Sequence, residues 1–144
     1  MNLGNPDSPV GGLAVPRPEG VEIRPLGRDD GSALQALGFS PGAAFLGQLV
    51  GDVDCSGLLA THDDEPTGLI DFRFRRRLNH APFEGWVGDL RVVGAHRGRG
   101  IGRALLAAAI AEWRLRGGHQ VEVELRRDQS AAFGLFGAAG FSDL

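Results

Sequence analysis

Several features that are common in proteins of this size are scarce in the sequence. A single cysteine, Cys55, excludes a disulfide within the 144-residue chain and fits a reducing compartment. No apolar run approaches the roughly 20 residues of a membrane-spanning helix. The N-terminus also lacks the basic and then apolar segments of a signal peptide. We therefore expect a cytoplasmic protein with no membrane partner.

Basic residues are also in slight deficit. The chain has 15 Lys and Arg against 18 Asp and Glu, which gives a formal net charge of −3. General attraction to nucleic acid requires the opposite sign. Two arginine-rich stretches, 96–100 and 73–77, would support a nucleic-acid-binding interpretation, but aromatic residues do not alternate with the arginines. We therefore expect no nucleic-acid partner.

The remaining composition is that of a single globular domain. Apolar residues make up 42% of the chain and charged residues 23%, and both values are ordinary. A chain of this length can bury one hydrophobic core without disulfides or metals. Residues 1–19 are dense in proline and glycine, which predicts a flexible leader. Residues 20–144 are predicted to form the domain.

Apolar periodicity predicts the order of the helices and strands. Alternation typical of strands occurs at 21–26, 56–61, 67–75, 85–93 and 121–125. Helical patterns run from Asp29 or Asp30 to near Gly38, from the Ser40-Pro41 pair through Val50, over 100–116, and from about 128 to Gly140. Antiparallel strands followed by a β-α-β-α succession predict an α/β (α+β) fold with helices packed on a mixed sheet.

The stretch that best indicates function joins the strand ending at Val93 to the helix at 100–116. In it, basic residues alternate with glycines: Arg97, Gly98, Arg99, Gly100, Ile101, Gly102, Arg103. The N–H groups at the start of a helix have no internal partner and carry partial positive charge. Glycines let phosphate oxygens approach the backbone closely. The loop is therefore predicted to bind a pyrophosphate group.

The spacing in this loop excludes two common phosphate-binding motifs. A Walker loop needs Lys-Ser/Thr after its last glycine, where this chain has Arg103-Ala104. A dinucleotide-binding fingerprint needs G-x-G-x-x-G, which the glycines at 98, 100 and 102 do not give. The spacing Arg-x-x-Gly-x-Gly resembles the acyl-CoA loop of the GCN5-related N-acetyltransferase (GNAT) superfamily.

The resemblance extends over roughly residues 20–141. Residues 89–92 (Asp-Leu-Arg-Val) look like the family's fourth strand, and 21–30 are similar to its opening strand. Residues 124–141, which close with Gly-Phe, look like its fifth strand and last helix. The resemblance implies a GNAT-like fold, no metal, and transfer of an acetyl group from acetyl-CoA to a primary amine of a small molecule or protein.

The resemblance also implies roles for particular residues. Glu124 matches a position where a glutamate is the general base, and Asp89 is the second candidate. Free N–H groups near Val92 are the implied oxyanion donors. The implied cofactor-binding residues are Leu90, Arg91 and Val92 beside the pantetheine arm, Arg97 to Arg103 at the pyrophosphate, and Gln129 and Phe136 on the last helix.

Phe136 is a departure from the family pattern. Many members have a tyrosine there that protonates the departing thiolate, and this chain contains no tyrosine. A thiol with a pKa near 8.5 is still a tolerable leaving group as its thiolate, so we expect a slow enzyme. The alternative is a non-catalytic acyl-CoA-binding module that acts as a sensor or subunit.

The C-terminus is a second departure. Only three residues follow Phe141, whereas the family adds up to two further strands, one of which pairs with the fifth strand. We therefore expect a fold without the last one or two strands and an open edge at 121–125. An open edge favours pairing with another chain, as a homodimer or by strand exchange.

Overall fold

The computed structural model describes residues 2–3, 17–75, 83–124 and 130–141. A one-turn 3-10 helix at Gly94–His96 precedes the third helix. The described strands are β1 (Asn2–Leu3), β2 (Val21–Pro25), β3 (Cys55–His62), β4 (Glu65–Arg75), β5 (Phe83–Val92) and β6 (Gly118–Val123). The described helices are α1 (Gly31–Ala36), α2 (Ala43–Gly51), α3 (Ile101–Leu115) and α4 (Ser130–Ala138).

The strands form one mixed sheet in the order β1-β6-β5-β4-β3-β2. Strands β2 to β5 pair antiparallel with their neighbours along the chain. Strands β5 and β6 pair in parallel, and α3 makes the crossover between them, as parallel neighbours require. The predicted mixed α/β sheet is therefore confirmed.

The larger hydrophobic core lies between α3 and one face of the sheet. The alternation at 67–75 places Ile70, Phe72 and Phe74 of β4 on this face, and all three are buried. Trp113 of α3 is fully buried in the same cluster. Gly118 at the start of β6 makes room for it, since a Cβ on Gly118 would overlap the indole ring.

A smaller core lies on the opposite face, where α1 and α2 cover β3 and part of β4. Leu34 and Leu46 from the helices, and Leu37 just after α1, pack there against Leu59 and Leu69 from the strands. Beyond Leu69 the same face of β4 becomes polar. The face of the sheet that does not contact α3 therefore carries charged side chains close to the site described below.

One prediction of local structure needs correction, and one feature of the sheet was not predicted. Helix α2 begins at Ala43 with Gly42 as its N-cap and no side-chain cap, so the predicted start at Ser40-Pro41 is wrong. The β4–β5 register contains a bulge that no periodicity indicated: Asp71 pairs with Asp89 and Phe72 with Val87. Gly88 therefore has no counterpart on β4.

The prediction of an open edge beside the fifth predicted strand is also wrong over two residues. Asn2 pairs antiparallel with Glu122, and Leu3 with Val121. Unpaired backbone groups at a sheet edge need partners, and here the chain's own N-terminal segment supplies them. For residues 2–3 this also replaces the predicted flexible leader with a strand, while residues 4–16 lie outside the described part of the chain.

Candidate active site

Among the described residues, β5 and β6 are paired only up to the end of β6, and β5 continues past this point of separation. They pair from Phe83 and Gly118 up to Val87 and Val123, where β6 ends. Residues 88–92 of β5 continue beyond that point, and among the described residues 89–92 pair with β4 alone. The other edge of this segment therefore faces a gap. Its backbone groups can form hydrogen bonds with an extended, peptide-like ligand.

A cleft of about 680 Å³ opens at this separation. Its walls come from β5, the loop after it, the start of α3 and one side of α4. Arg99 is not in the lining, and Gln129 lies outside the described residues. The other predicted site residues all line the cleft: Asp89, Leu90, Arg91, Val92, Arg97, Gly98, Gly100, Ile101, Gly102, Arg103, Glu124 and Phe136.

The loop before α3 presents backbone donors. Gly98 and Gly100 have φ values of +77° and +86°, a conformation that glycine adopts without strain. Gly100 is the N-cap of α3, and its carbonyl accepts the first helical hydrogen bond, from the Ala104 N–H at 3.0 Å. Within the described residues, no loop or turn carbonyl accepts from the N–H groups of 98–103. These groups are therefore free for an anion.

The arginines of the cleft differ in what they contact. The Arg97 Nε donates to the Val92 carbonyl at 3.1 Å, while Arg103 is exposed at the start of α3. The guanidinium of Arg91 is directed at the α1–α2 connection instead: its Nη1 donates to the Leu37 carbonyl at 3.0 Å. The Arg91 side chain is thus engaged outside the cofactor position that the sequence implied for this residue.

Two carboxylates lie opposite each other where β5 bulges. Asp89 is exposed and lines the cleft, and the residue opposite it on β4 is Asp71. A Cβ on Gly88 would lie 2.9 Å from the Asp71 Oδ2. The Asp71 side chain is only 16% exposed, and its Oδ1 accepts from Arg73 Nη1 at 2.9 Å. Burial raises the pKa of Asp71; Arg73 lowers it and Asp89 raises it further.

The sequence showed no sign of a role for Asp71, because Asp71 looked like an ordinary polar residue of an alternating strand. The pairing of Asp71 with Asp89 follows from the bulge, and one-strand periodicity contains no signal for it. A comparison of the two strand patterns would have placed two carboxylates near each other only if the register had been known.

The remaining predicted catalytic and leaving-group positions lie at the end of β6 and on α4. Glu124 follows the last residue of β6, is exposed, and lines the cleft. Phe136 is 2% exposed and packs edge-on against Phe141, with ring centroids 5.1 Å apart. It therefore gives the cleft an apolar wall with no hydroxyl.

His96 is a further residue of the lining. Its ring lies 5.7 Å from that of His62, centroid to centroid. The Nδ1 atom of His96 is buried and has no hydrogen-bond partner among the described residues.

Two features are absent from the described residues. None of their helices combines the length and apolarity that crossing a bilayer requires. No group of three or more His, Cys, Asp or Glu side chains comes together there as metal ligands would.

Comparison with known proteins identifies the class. The model of the Acetyltransferase (GNAT) family matches residues 29–141, and the chain belongs to this family. It is also 33% identical over 102 residues to the uncharacterized protein ML0378 of Mycobacterium leprae (strain TN). That match covers 70% of the chain but 26% of the relative, so the chain spans about a quarter of the relative's length.

Solved structures share the fold. The aminoglycoside acetyltransferase meta-AAC0020 from an uncultured soil metagenomic sample, in complex with trehalose, superposes with a TM-score of 0.76 at 18% identity. That match covers 84% of this chain and 88% of the other. The aminoglycoside N-acetyltransferase AAC(6')-Iy in complex with CoA gives 0.76 at 18% identity, over 90% and 92% of the two chains. Likeness at these identities shows the fold.

Proposed function

We propose that the chain is an N-acetyltransferase that transfers an acetyl group from acetyl-CoA to a primary amine. The observation that carries this proposal is the separation of β5 from β6 directly beside the glycine-arginine loop. A site for an anion and an unpaired strand edge adjoin each other. This combination suits a ligand that has a diphosphate at one end and an amide-containing arm.

The cofactor position follows from these two features. The diphosphate binds the free N–H groups of 98–103, where the helix terminus and Arg103 supply positive charge. The pantetheine arm runs along residues 88–92 and pairs with their backbone. The thioester then lies near the point where β5 and β6 meet, and a β5 N–H donates to its carbonyl oxygen. The CoA complex of AAC(6')-Iy supports CoA as a ligand of this fold.

The acidic residues define the acceptor side. A primary amine arrives as an ammonium ion, which the carboxylate of Asp89, with Asp71 behind Gly88, attracts. Glu124 takes the proton, directly or through water, and releases the nitrogen lone pair. The amine then attacks the thioester carbon, so that the C–N bond forms and the C–S bond breaks. The electrons of the broken bond leave on the CoA thiolate. The former amine nitrogen releases its second proton to solvent as the amide forms, and the thiolate takes up one proton from solvent because Phe136 has none to give.

The acceptor class stays open between small-molecule amines and protein N-termini. The aminoglycoside acetyltransferases among the solved structures favour a small polycationic acceptor, which also suits paired carboxylates. A second candidate function, an acyl-CoA-binding module without catalysis, is favoured by Phe136 alone. The open strand edge that suggested a homodimer is partly occupied, because residues 2–3 pair with β6 there. The structure therefore gives a homodimer less support than the sequence did.

Calorimetry and a thiol-release assay test the proposal together. We expect acetyl-CoA and CoA to bind with dissociation constants between about 1 µM and 1 mM, the usual range for enzyme substrates. We further expect amine-dependent thiol release with at least one of sisomicin, spermidine and an alanine-initiated peptide. Absence of binding at millimolar acetyl-CoA would overturn both candidate functions. Binding without thiol release from any of the three amines would favour the binding module.

A further inference from the structure

We infer that Arg91 is a positioning residue that holds the α1–α2 connection, residues 37–42, as a wall of the acceptor side of the cleft. The inference rests on the proposed function, since it assigns this wall to the acceptor. The sequence suggested a different role for Arg91, in contact with the cofactor. The contacts of its guanidinium assign the side chain to the wall, whereas the backbone of Arg91 stays beside the proposed cofactor arm.

Three consecutive residues meet the Arg91 guanidinium. Its Nη1 donates to the Leu37 carbonyl at 3.0 Å, and its Cζ lies 4.5 Å from the centroid of the Phe39 ring. Between them, Gly38 has a φ of +89°, and a Cβ there would lie 2.6 Å from Nη1. The glycine thus permits both the turn and the close approach. A hydrogen bond and a cation–π contact together fix the guanidinium plane.

The connection is held from its other side by the smaller core. Leu37 is 3% exposed and packs with Leu34 and Leu46, and the half-buried Phe39 packs against the same cluster. Without Arg91, the core would still anchor Leu37. The segment from Gly38 onward, however, would lose its only described link to β5 among the side-chain hydrogen bonds and cation–π contacts.

The place of Arg91 on β5 explains why this link matters to the site. Leu90 and Val92, its neighbours, pack against the α3 core, whereas Arg91 lies on the opposite face together with Asp89. The loop at 98–103 and helices α3 and α4 occupy the cofactor's side of the sheet. The acceptor must therefore approach the thioester from the face that carries Asp89 and Arg91, where the α1–α2 connection stands.

The anchoring also keeps a cation away from the carboxylate that attracts the acceptor. Arg91 and Asp89 are two residues apart on one strand face, so a free guanidinium would compete with an ammonium ion for Asp89. Engagement with the Leu37 carbonyl and the Phe39 ring removes that competitor. Arg91 thus contributes twice, by placing the wall and by leaving Asp89 available.

Amide hydrogen exchange of the 37–42 peptide tests, in the free protein, whether Arg91 holds this segment in place. In Arg91→Met we expect exchange there to accelerate about tenfold, because a hydrogen bond and a cation–π contact are lost. Arg17→Met is the matched control, since Arg17 is exposed, and it should match the wild type. Unchanged exchange in Arg91→Met would overturn the inference. If that variant does not fold, Arg91→Lys, which keeps the charge but cannot stack on Phe39, should show the same local acceleration.

Kinetics test the link to the acceptor. In Arg91→Lys we expect acetyl-CoA affinity within about twofold of the wild type and a KM for the amine raised about tenfold, because a flexible ammonium cannot stack on Phe39 and is free to reach Asp89. Equal losses of acetyl-CoA and amine affinity would overturn the positioning role. Failure of the wild type to bind acetyl-CoA would count against the proposed function. The exchange experiment would still show whether Arg91 holds residues 37–42.

Discussion

At the scale of single residues, the carboxylates in and beside the cleft differ in exposure. Glu124 is exposed at the end of β6, whereas Asp71 is largely buried and hydrogen-bonded to Arg73. Burial raises the pKa of Asp71, whereas the Glu124 carboxylate is open to solvent and to an arriving amine. The two groups are therefore suited to different tasks: proton removal for Glu124, and a local field for Asp71.

Replacement of the proposed base gives the first prediction. In Glu124→Gln we expect kcat for the amine reaction to fall about 100-fold, the lower end of what general-base catalysis contributes. The dissociation constant of acetyl-CoA should stay within about twofold, because the free N–H groups at 98–103 are unchanged. Steady-state thiol release and calorimetry measure the two quantities.

Glu122→Gln is the matched control for this variant. Glu122 lies two residues earlier and accepts hydrogen bonds from Arg75 at 3.3 Å and Gln120 at 3.0 Å, outside the cleft lining. It should retain wild-type kcat within about twofold. A Glu124→Gln enzyme with full turnover would assign the proton to another acceptor, with Asp89 the next to replace.

The buried carboxylate gives the second prediction, on stability against pH. Burial raises the pKa of Asp71 in the folded state, so the folded protein binds this proton more tightly than the unfolded chain. Stability therefore falls as the pH rises from about 4 through the raised pKa. Urea unfolding at a series of pH values should show a smaller decline in Asp71→Asn than in the wild type. Parallel curves for the two proteins would contradict the assignment.

Asp30 provides a comparison of opposite sign. Hydrogen bonds from Arg24 lower its pKa, and the Gly27 N–H lowers it further, although burial acts in the other direction. Its contribution to stability is present above the ordinary carboxyl pKa and is lost as the pH falls through the lowered one. Asp30→Asn should therefore flatten the acid end of the curve, below about pH 4, and leave the decline caused by Asp71 unchanged.

At the scale of helices and strands, local patterns predicted what local physics determines. The alternation at 67–75 predicted β4, whose Ile70, Phe72 and Phe74 are buried, and the helical pattern at 100–116 predicted α3. The glycine-arginine loop was also predictable, because its backbone donors follow from glycine conformation and the start of a helix. The start of α2 was not, because the helix begins at Ala43 after Gly42 and does not use the Ser40-Pro41 signal.

The missing parts of the site depend on register. Asp71 joins Asp89 only because Gly88 forms a bulge, and Arg91 meets Leu37 only because α1 packs over the same face of the sheet. Both pairings join residues far apart in the chain. Periodicity within one strand carries no information about which residue of a neighbouring strand lies opposite.

Packing between α3 and β6 gives the third prediction. A Cβ on Gly118 would overlap the buried Trp113 ring, so Gly118→Ala should lower the free energy of unfolding by about 2–3 kcal/mol, the upper range for overpacking. Gly47→Ala is the matched control: nothing lies within 4 Å of that Cβ, and alanine in a helix should add about 0.5–1 kcal/mol. Urea unfolding measures both, and a neutral Gly118→Ala would contradict the packing described.

At the scale of the whole molecule, a bound cofactor would complete the sheet along residues 88–92. A ligand that binds only the folded state stabilises it, by about 2.7 kcal/mol at 100 times its dissociation constant. We expect acetyl-CoA at that concentration to raise the Tm by about 10 °C. It should also slow amide exchange at 88–92 more than at the already paired 84–87. Thermal stabilisation with uniform exchange would place the cofactor elsewhere.

The pairing of Asn2 and Leu3 with β6 also bears on the order of folding. It joins residues from opposite ends of the sequence, with only two residues in register on each side. Closing so long a stretch of chain costs entropy that two residue pairs repay poorly. We therefore expect this edge to form after the hairpins of β2 to β5, and to fray first when the protein is warmed.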